Sequence, residues 1–88
     1  MKVEFLKKFY DDLDAIKVKS VKLSLIDIIE LIESVETLKN IPNLKKLKGH
    51  KSAYRVRDGD YRLGFFFENS IVLLARFVHR KDIYKIFP

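Results

Sequence analysis

The spacing of apolar and polar positions changes twice along this chain. Met1 to Phe5 alternates Val3 and Phe5 with Lys2 and Glu4, the period of a strand with one face buried. From Leu6 the interval lengthens: Leu6, Phe9, Leu13 and Ile16 recur at helical spacing while Lys7, Lys8, Asp11, Asp12 and Asp14 turn away from them, which predicts an amphipathic helix. A second helix is expected from Ser20, as N-cap, to about Leu38, with Val21, Leu25, Ile28, Ile29, Ile32 and Val35 as its buried stripe. Leu23, Ile26 and Leu31 widen that stripe, and Asn40, Pro42 and Asn43 end it. Lys45, Lys46, Lys48, Gly49 and Lys51 then read as a basic connector. Period two returns in Ala53 to Arg57, Tyr61 to Phe67 and Ile71 to Val78, separated by the turn signals Asp58-Gly59 and Glu68-Asn69-Ser70.

Helices grouped early and a strand meander late predict an α+β fold of order β-α-α-β-β-β, an antiparallel sheet with two N-terminal helices packed on one face. With 88 residues, residues 1–88 form a single domain and a single core. Apolar residues make up 48% of the chain, enough for that core, and three Gly and two Pro argue against a disordered linker. Cysteine is absent, so neither a disulfide nor a thiolate metal site can form. Lys7 and Lys8 interrupt any signal-peptide core, and no apolar run approaches the ~20 residues needed to span a bilayer. The expected location is the cytoplasm.

Charge changes the picture more than composition does. Residues 1–44 hold seven Lys/Arg against eight Asp/Glu, whereas residues 45–88 hold eleven against four, so the net charge of +6 resides in the second half. Such asymmetry suits a polyanion-facing surface, nucleic acid above all, although it also serves solubility.

Strand alternation sorts the meander into two faces. If the hairpin loops hold two or four residues, Tyr54, Val56, Tyr61, Leu63, Phe65, Phe67, Val72, Leu74 and Val78 face the helices. Arg55, Arg57, Arg62, Gly64, Phe66, Leu73, Ala75, Phe77 and His79 collect on the other side, with Arg55 directly across from Arg62. A like-charge cross-strand pair costs some ~0.2 to 1 kcal/mol, and folding gives no reason for it. An anionic ligand does, because two guanidinium forks can grip one phosphate. His79 adds a group able to exchange a proton near neutral pH, and Gly64 and Ala75 leave room for a ligand, Gly64 being equally readable as a bulge. Phe66, Leu73 and Phe77 suggest a contact surface for a partner. Arg76 falls on the helix side, where it must snorkel out or pair with a helix carboxylate. His50 reads as a loop residue.

Four motifs in order now carry a resemblance. Lys46-Leu47-Lys48-Gly49, Ala53-Tyr54-Arg55-Val56-Arg57, Gly59-Asp60-Tyr61-Arg62-Leu63 and Val78-His79-Arg80-Lys81-Asp82-Ile83-Tyr84 resemble the L-x-G, Y-R-x-R, G-x-Y-R-L and H-R-x-x-x-Y order of the RelE/ParE toxin superfamily, in its RelE-like messenger RNA interferase branch. With the upstream strand and helices, the resemblance spans nearly the whole chain. It implies the toxin of a type II toxin-antitoxin system: a ribosome-dependent endoribonuclease that cuts messenger RNA in the ribosomal A site by attack of the 2′-hydroxyl. The implied partners are the ribosome, the message and a cognate antitoxin forming a hetero-oligomer with it; no cofactor and no metal are implied.

Residue by residue, the resemblance assigns catalysis to Arg62, which would stabilise the phosphate, with Arg57, His79 and Lys81, and to Tyr84, on which a base of the message would stack. Arg55, Lys48, Lys51 and Arg80 would bind RNA. Arg55 and Arg57 replace the lysines of RelE on this strand, and a guanidinium is a poor base. Two other readings stay open. A ParE-like inhibitor of DNA gyrase would not need the set Arg55, Arg57, Arg62, His79, Lys81 and Tyr84. A decayed toxin or non-catalytic module would bind RNA through the same cations and aromatics without cutting it.

Overall fold

The computed structural model describes residues 1–88. The chain runs through strand β1 (Lys2–Phe5), helices α1 (Lys7–Ala15) and α2 (Lys19–Ser34), and a single 3₁₀ turn at Leu38–Asn40. Strands β2 (Leu44–Lys46), β3 (Ala53–Asp58), β4 (Tyr61–Glu68) and β5 (Ile71–His79) follow, and helix α3 (Arg80–Ile86) closes the chain. The expected α+β architecture holds, with two additions. Part of the basic connector pairs with β3 as the edge strand β2, and the segment carrying Tyr84 is a helix.

All five strands form one sheet in the order β1-β5-β4-β3-β2. Three of the four pairings are antiparallel, while β1 runs parallel to β5, with Val3 opposite Val72. Helix α2 starts at Lys19, one residue before the expected cap, and stops at Ser34 rather than near Leu38. No side chain caps its first turn; at its other end the Met1 nitrogen donates to the carbonyls of Ile32, Glu33 and Val35, groups a helix end leaves unpaired.

Two cores flank the sheet. On one side Phe9 of α1 and Leu25 and Ile32 of α2 pack against Val56, Leu63, Phe65, Val72, Leu74 and Phe77. On the other, Ile83 of α3 and Phe87 close over Leu47, Ala53 and Ala75, with Phe66 and Val78 beside them. The C-terminal segment thus covers a part of the sheet that alternation alone leaves bare.

Two local features set which side chain lands on which face. The first hairpin turns at Gly59-Asp60, with Gly59 at φ +57°, so β3 continues through Asp58. Asp58 is held there by the Ser24 hydroxyl of α2, which donates to Oδ1 at 2.6 Å. Relative to a loop at Asp58-Gly59, every cross-strand partner moves by two residues. Arg57, not Arg55, therefore faces Arg62, and Arg55 faces Gly64. The expected faces survive because the shift is even. The second hairpin is as expected: Phe67 faces Val72 across Asn69 and Ser70, both at the positive φ that a type I′ turn demands.

The second feature is a β-bulge in β5. Phe65 faces Leu74 but Gly64 faces Arg76, leaving Ala75 as the extra residue. Every later residue of β5 changes side. Phe77 enters the helix-side core instead of the cationic face, Val78 goes to the α3 side, and His79 pairs with Tyr61 on the helix side. Arg76, displaced to the strand edge beyond the end of β1, reaches α1: Nε and Nη2 donate to the two carboxylate oxygens of Asp12 at 2.8 and 2.9 Å. Asp12 Oδ2 also accepts from the Phe77 amide at 2.9 Å, taking the place of a neighbouring strand. That contact realises the helix-carboxylate alternative for Arg76.

Candidate nucleic-acid interface

The site is built by three strands and one helix. On the sheet face away from α1 and α2, Lys45 of β2 stands opposite Arg55 of β3, and Arg57 of β3 stands opposite Arg62 of β4. These four cations line an open cleft of about 350 Å³ together with Asn43, Leu44 and Tyr84. No carboxylate lines it. The protein's four ion pairs are Lys2–Glu4, Lys7–Asp11, Arg76–Asp12 and Arg80–Asp60, all elsewhere. The positive charge of the cleft is therefore uncompensated by the protein.

Hydrogen bonds to neutral groups hold part of this array. Arg62 Nη1 donates to the carbonyls of Gly59 and Tyr61 at 2.8 and 2.9 Å, curling the side chain over its own turn. Arg57 is tied twice to Asn43: its amide donates to the Asn43 carbonyl and Nη2 to Oδ1, each at 3.2 Å. Asn43 sits at φ +61°, a conformation asparagine tolerates better than most residues, and from it β2 runs into register. The Arg55 guanidinium lies over the Tyr84 ring, 4.5 Å from its centroid. Tyr84 keeps 67% exposure, so it still presents aromatic surface to solvent.

A second cleft of about 420 Å³ continues past Tyr84, lined by Lys45, Lys48, His50 and Arg55 with Leu47, Phe87 and Pro88. Lys45, Arg55 and Tyr84 belong to both. Five cations and an aromatic ring thus border a continuous groove with no acidic wall. Such a groove can bind a phosphodiester chain and stack one of its bases.

Arg55, Arg57, Arg62 and Tyr84 come together as expected, and Lys48 joins them in the second cleft. His79 does not. Carried to the helix side by the bulge, its ring meets Tyr61 edge-on at 5.7 Å, and it lines a separate depression with Asp12, Phe77 and Asp82. Its Nδ1 accepts the Lys81 amide at 3.1 Å, so His79 is the N-cap of α3. Arg80 follows it, bonded through its amide to the Asp60 carbonyl at 2.7 Å and paired through Nε with the Asp60 carboxylate at 3.8 Å. Neither Arg80 nor Lys81 lines either cleft, and Lys51 is likewise absent from both.

Gly64 and Phe66 also change meaning. A Cβ on Gly64 would lie 2.6 Å from the Phe87 ring, so the space over Gly64 is filled by the C-terminal segment and is not open to a ligand. Phe66 packs on Phe87 at 5.1 Å and is half-buried. Asn43 is the residue that sequence reasoning missed, while Lys45, read there only as part of the basic connector, gains its place in the cleft from β2. A three-residue edge strand has too little alternation to be seen, and only the neighbouring Asn43 hinted at a special backbone.

No family model matches the chain. The toxin RelE3 of Methanocaldococcus jannaschii is 42% identical over 41 residues, which span 47% of this chain and 47% of that relative. Among solved structures, a chain of the RelB-RelE antitoxin-toxin complex from Methanococcus jannaschii superposes with a TM-score of 0.82 at 32% identity, covering 97% of this chain and 99% of that one. The toxin-antitoxin complex RelBE2 from Mycobacterium tuberculosis matches with a TM-score of 0.72 at 22% identity over 90% of this chain and 96% of its own, a likeness of fold. With near-complete mutual coverage at 32% identity, and the four motifs on the strands and helix described above, the chain belongs to the RelE-like toxin superfamily.

Proposed function

We propose that this protein is the toxin of a type II toxin-antitoxin pair, and that it cuts messenger RNA in the ribosomal A site by attack of a 2′-hydroxyl on the adjacent phosphate. The observation that carries this reading is the convergence of Lys45, Arg55, Arg57 and Arg62, none paired with a carboxylate, beside the exposed ring of Tyr84.

Each element has a task in that chemistry. Arg62 and Arg57, forced together by the ladder, meet the crowded phosphate whose negative charge grows in the transition state. Tyr84, backed by Arg55, stacks a base of the message and fixes the backbone over the arginines. Lys48 extends the contact to a neighbouring phosphate. A wall of cations repels a divalent ion, which favours charge stabilisation by side chains over metal assistance. His79 serves α3 as its cap rather than the reacting atoms. The antitoxin is the expected protein partner, since similar chains were crystallised in toxin-antitoxin complexes.

The test is translation in a cell-free extract followed by primer extension on the message. Codon-spaced cuts made by the wild type and lost in Arg62→Ala support the reading. Intact message in the presence of folded wild-type protein overturns it, and gyrase-dependent DNA breaks under the same conditions would point to the ParE-like alternative.

A further inference from the structure

With His79 on the far side of the sheet, the cationic groove contains few groups able to move a proton. Arginine holds its proton too tightly to give it up at useful rates. The first cleft then offers one ammonium, Lys45, and one phenol, Tyr84, while Lys48 and His50 line only the second, which lacks the Arg57–Arg62 pair. We propose that Lys45 is the general acid that protonates the leaving 5′-oxygen, a refinement that rests on the RNA-cutting reading above.

Placement supports this role. Lys45 lies between the two halves of the groove, opposite Arg55 in the β2–β3 ladder and on the same face as the Arg57–Arg62 pair. Its backbone register is fixed two residues upstream, where Asn43 is doubly bonded to Arg57. The next residue shows the contrast. Lys46 spends its ammonium on the carbonyls of His50 and Lys51 at 3.0 and 3.1 Å and lies near the Tyr54 ring, whereas Lys45 is exposed and enters none of the protein's ion pairs. Tyr84 is the weaker candidate because its ring is engaged by Arg55 and turned to solvent as a stacking surface.

The 2′-oxygen forms a bond to phosphorus while its proton passes to solvent water. The bond from phosphorus to the 5′-oxygen breaks, and that oxygen takes a proton from the Lys45 ammonium. Lys45 recovers a proton from solvent, and the products are a 2′,3′-cyclic phosphate and a 5′-hydroxyl. An ordinary lysine, at ~10.4, is charged at neutral pH yet is a far stronger acid than guanidinium, and an alkoxide leaving group is basic enough to take its proton.

The experiment compares messages with a normal or a sulfur-bridged 5′ linkage at the cut position, placed in the A site of purified ribosomes. A thiolate leaves without needing a proton. Lys45→Arg, which keeps the charge, is expected to slow cutting of the normal linkage about 10² to 10³-fold and to cut the sulfur linkage within a few-fold of wild type. Arg62→Ala should be slow on both, and Lys7→Gln, on α1 and outside both clefts, close to wild type on both. Lys45→Arg cutting the normal linkage at the wild-type rate, or slowed equally on both linkages, overturns the proposal while leaving the RNA-cutting reading intact, as does a Tyr84→Phe defect rescued by sulfur. A wild type that cuts neither message overturns both.

Discussion

Arg57 lies directly across the β3–β4 ladder from Arg62, and neither is paired with a carboxylate. The pair is a cost to folding of some ~0.2 to 1 kcal/mol, which on the proposed reading a phosphate of the message would offset. Arg57→Gln should therefore leave the melting temperature unchanged or slightly raised while weakening binding of a short single-stranded RNA. Calorimetric melts set beside titrations of a fluorescent oligonucleotide separate the two effects; a clear loss of stability would mean that the arginines hold the fold.

Salt gives an independent handle on the same groove. Each phosphate contact on a single strand contributes about −0.7 to the slope of log K against log salt. Removing Arg55 by Arg55→Gln should make that slope shallower by about 0.7, whereas Lys7→Gln, on α1 and paired with Asp11, should leave it unchanged. Titrations at several salt concentrations measure both.

Tyr84 is expected to act through its ring. Tyr84→Ala should lose about 1 to 3 kcal/mol of RNA affinity and Tyr84→Phe almost none, because stacking uses the aromatic ring that tyrosine and phenylalanine share. Equal losses in the two variants would reassign the contact to the hydroxyl.

Gly64→Ala tests how the C-terminal segment is held. The new methyl would meet Phe87 at 2.6 Å, on a sheet that cannot retreat, so a loss of about 1 to 3 kcal/mol is expected, together with faster proteolysis near residues 80–88. RNA affinity should fall too, since Tyr84 rides on the displaced helix. Denaturant melts and timed digestion read these outcomes.

Asp12→Asn should be the most damaging of the surface-near changes, by about 3 kcal/mol, because it weakens both forks of Arg76 and the Phe77 amide bond at once. The side chains of Arg76 and Asp12 are only 19% and 9% exposed, so water screens them little. The hydrogen bond to Asp12 raises the Arg76 pKa above its ordinary value despite the opposing effect of burial. A raised value in the folded state contributes stability below the unfolded value and loses it only as pH climbs through the folded one. Titration of Arg76 should therefore leave stability flat across the neutral range, and urea midpoints of the wild type between pH 6 and 9 check this.

Much of the site was legible because it depends on period two. Arg55, Arg57 and Arg62 fall on one face for any even shift of register, so the cluster survived even though the turn sits one residue later than expected and Arg55 lost Arg62 as its partner. Helix spacing likewise placed Phe9, Leu25 and Ile32 in the core. What stayed hidden depends on single residues. Nothing in the run Ile71 to His79 marks Ala75 as extra, because β-bulges carry no composition of their own, and that residue decided Phe77, Val78 and His79 together. The α3 segment was too short for periodicity to speak, and the reason for Gly64 became visible only with Phe87 lying on it.

The inserted alanine in β5 also has a consequence for how such chains diverge. Removing Ala75 would rotate the last four residues of the strand by half a pleat, sending the imidazole of His79 toward the arginines and Phe77 out of the helix-side core. Acquiring a histidine-based reaction centre on this scaffold is thus less a matter of placing a histidine than of losing one backbone unit and refilling the hole left beneath α1.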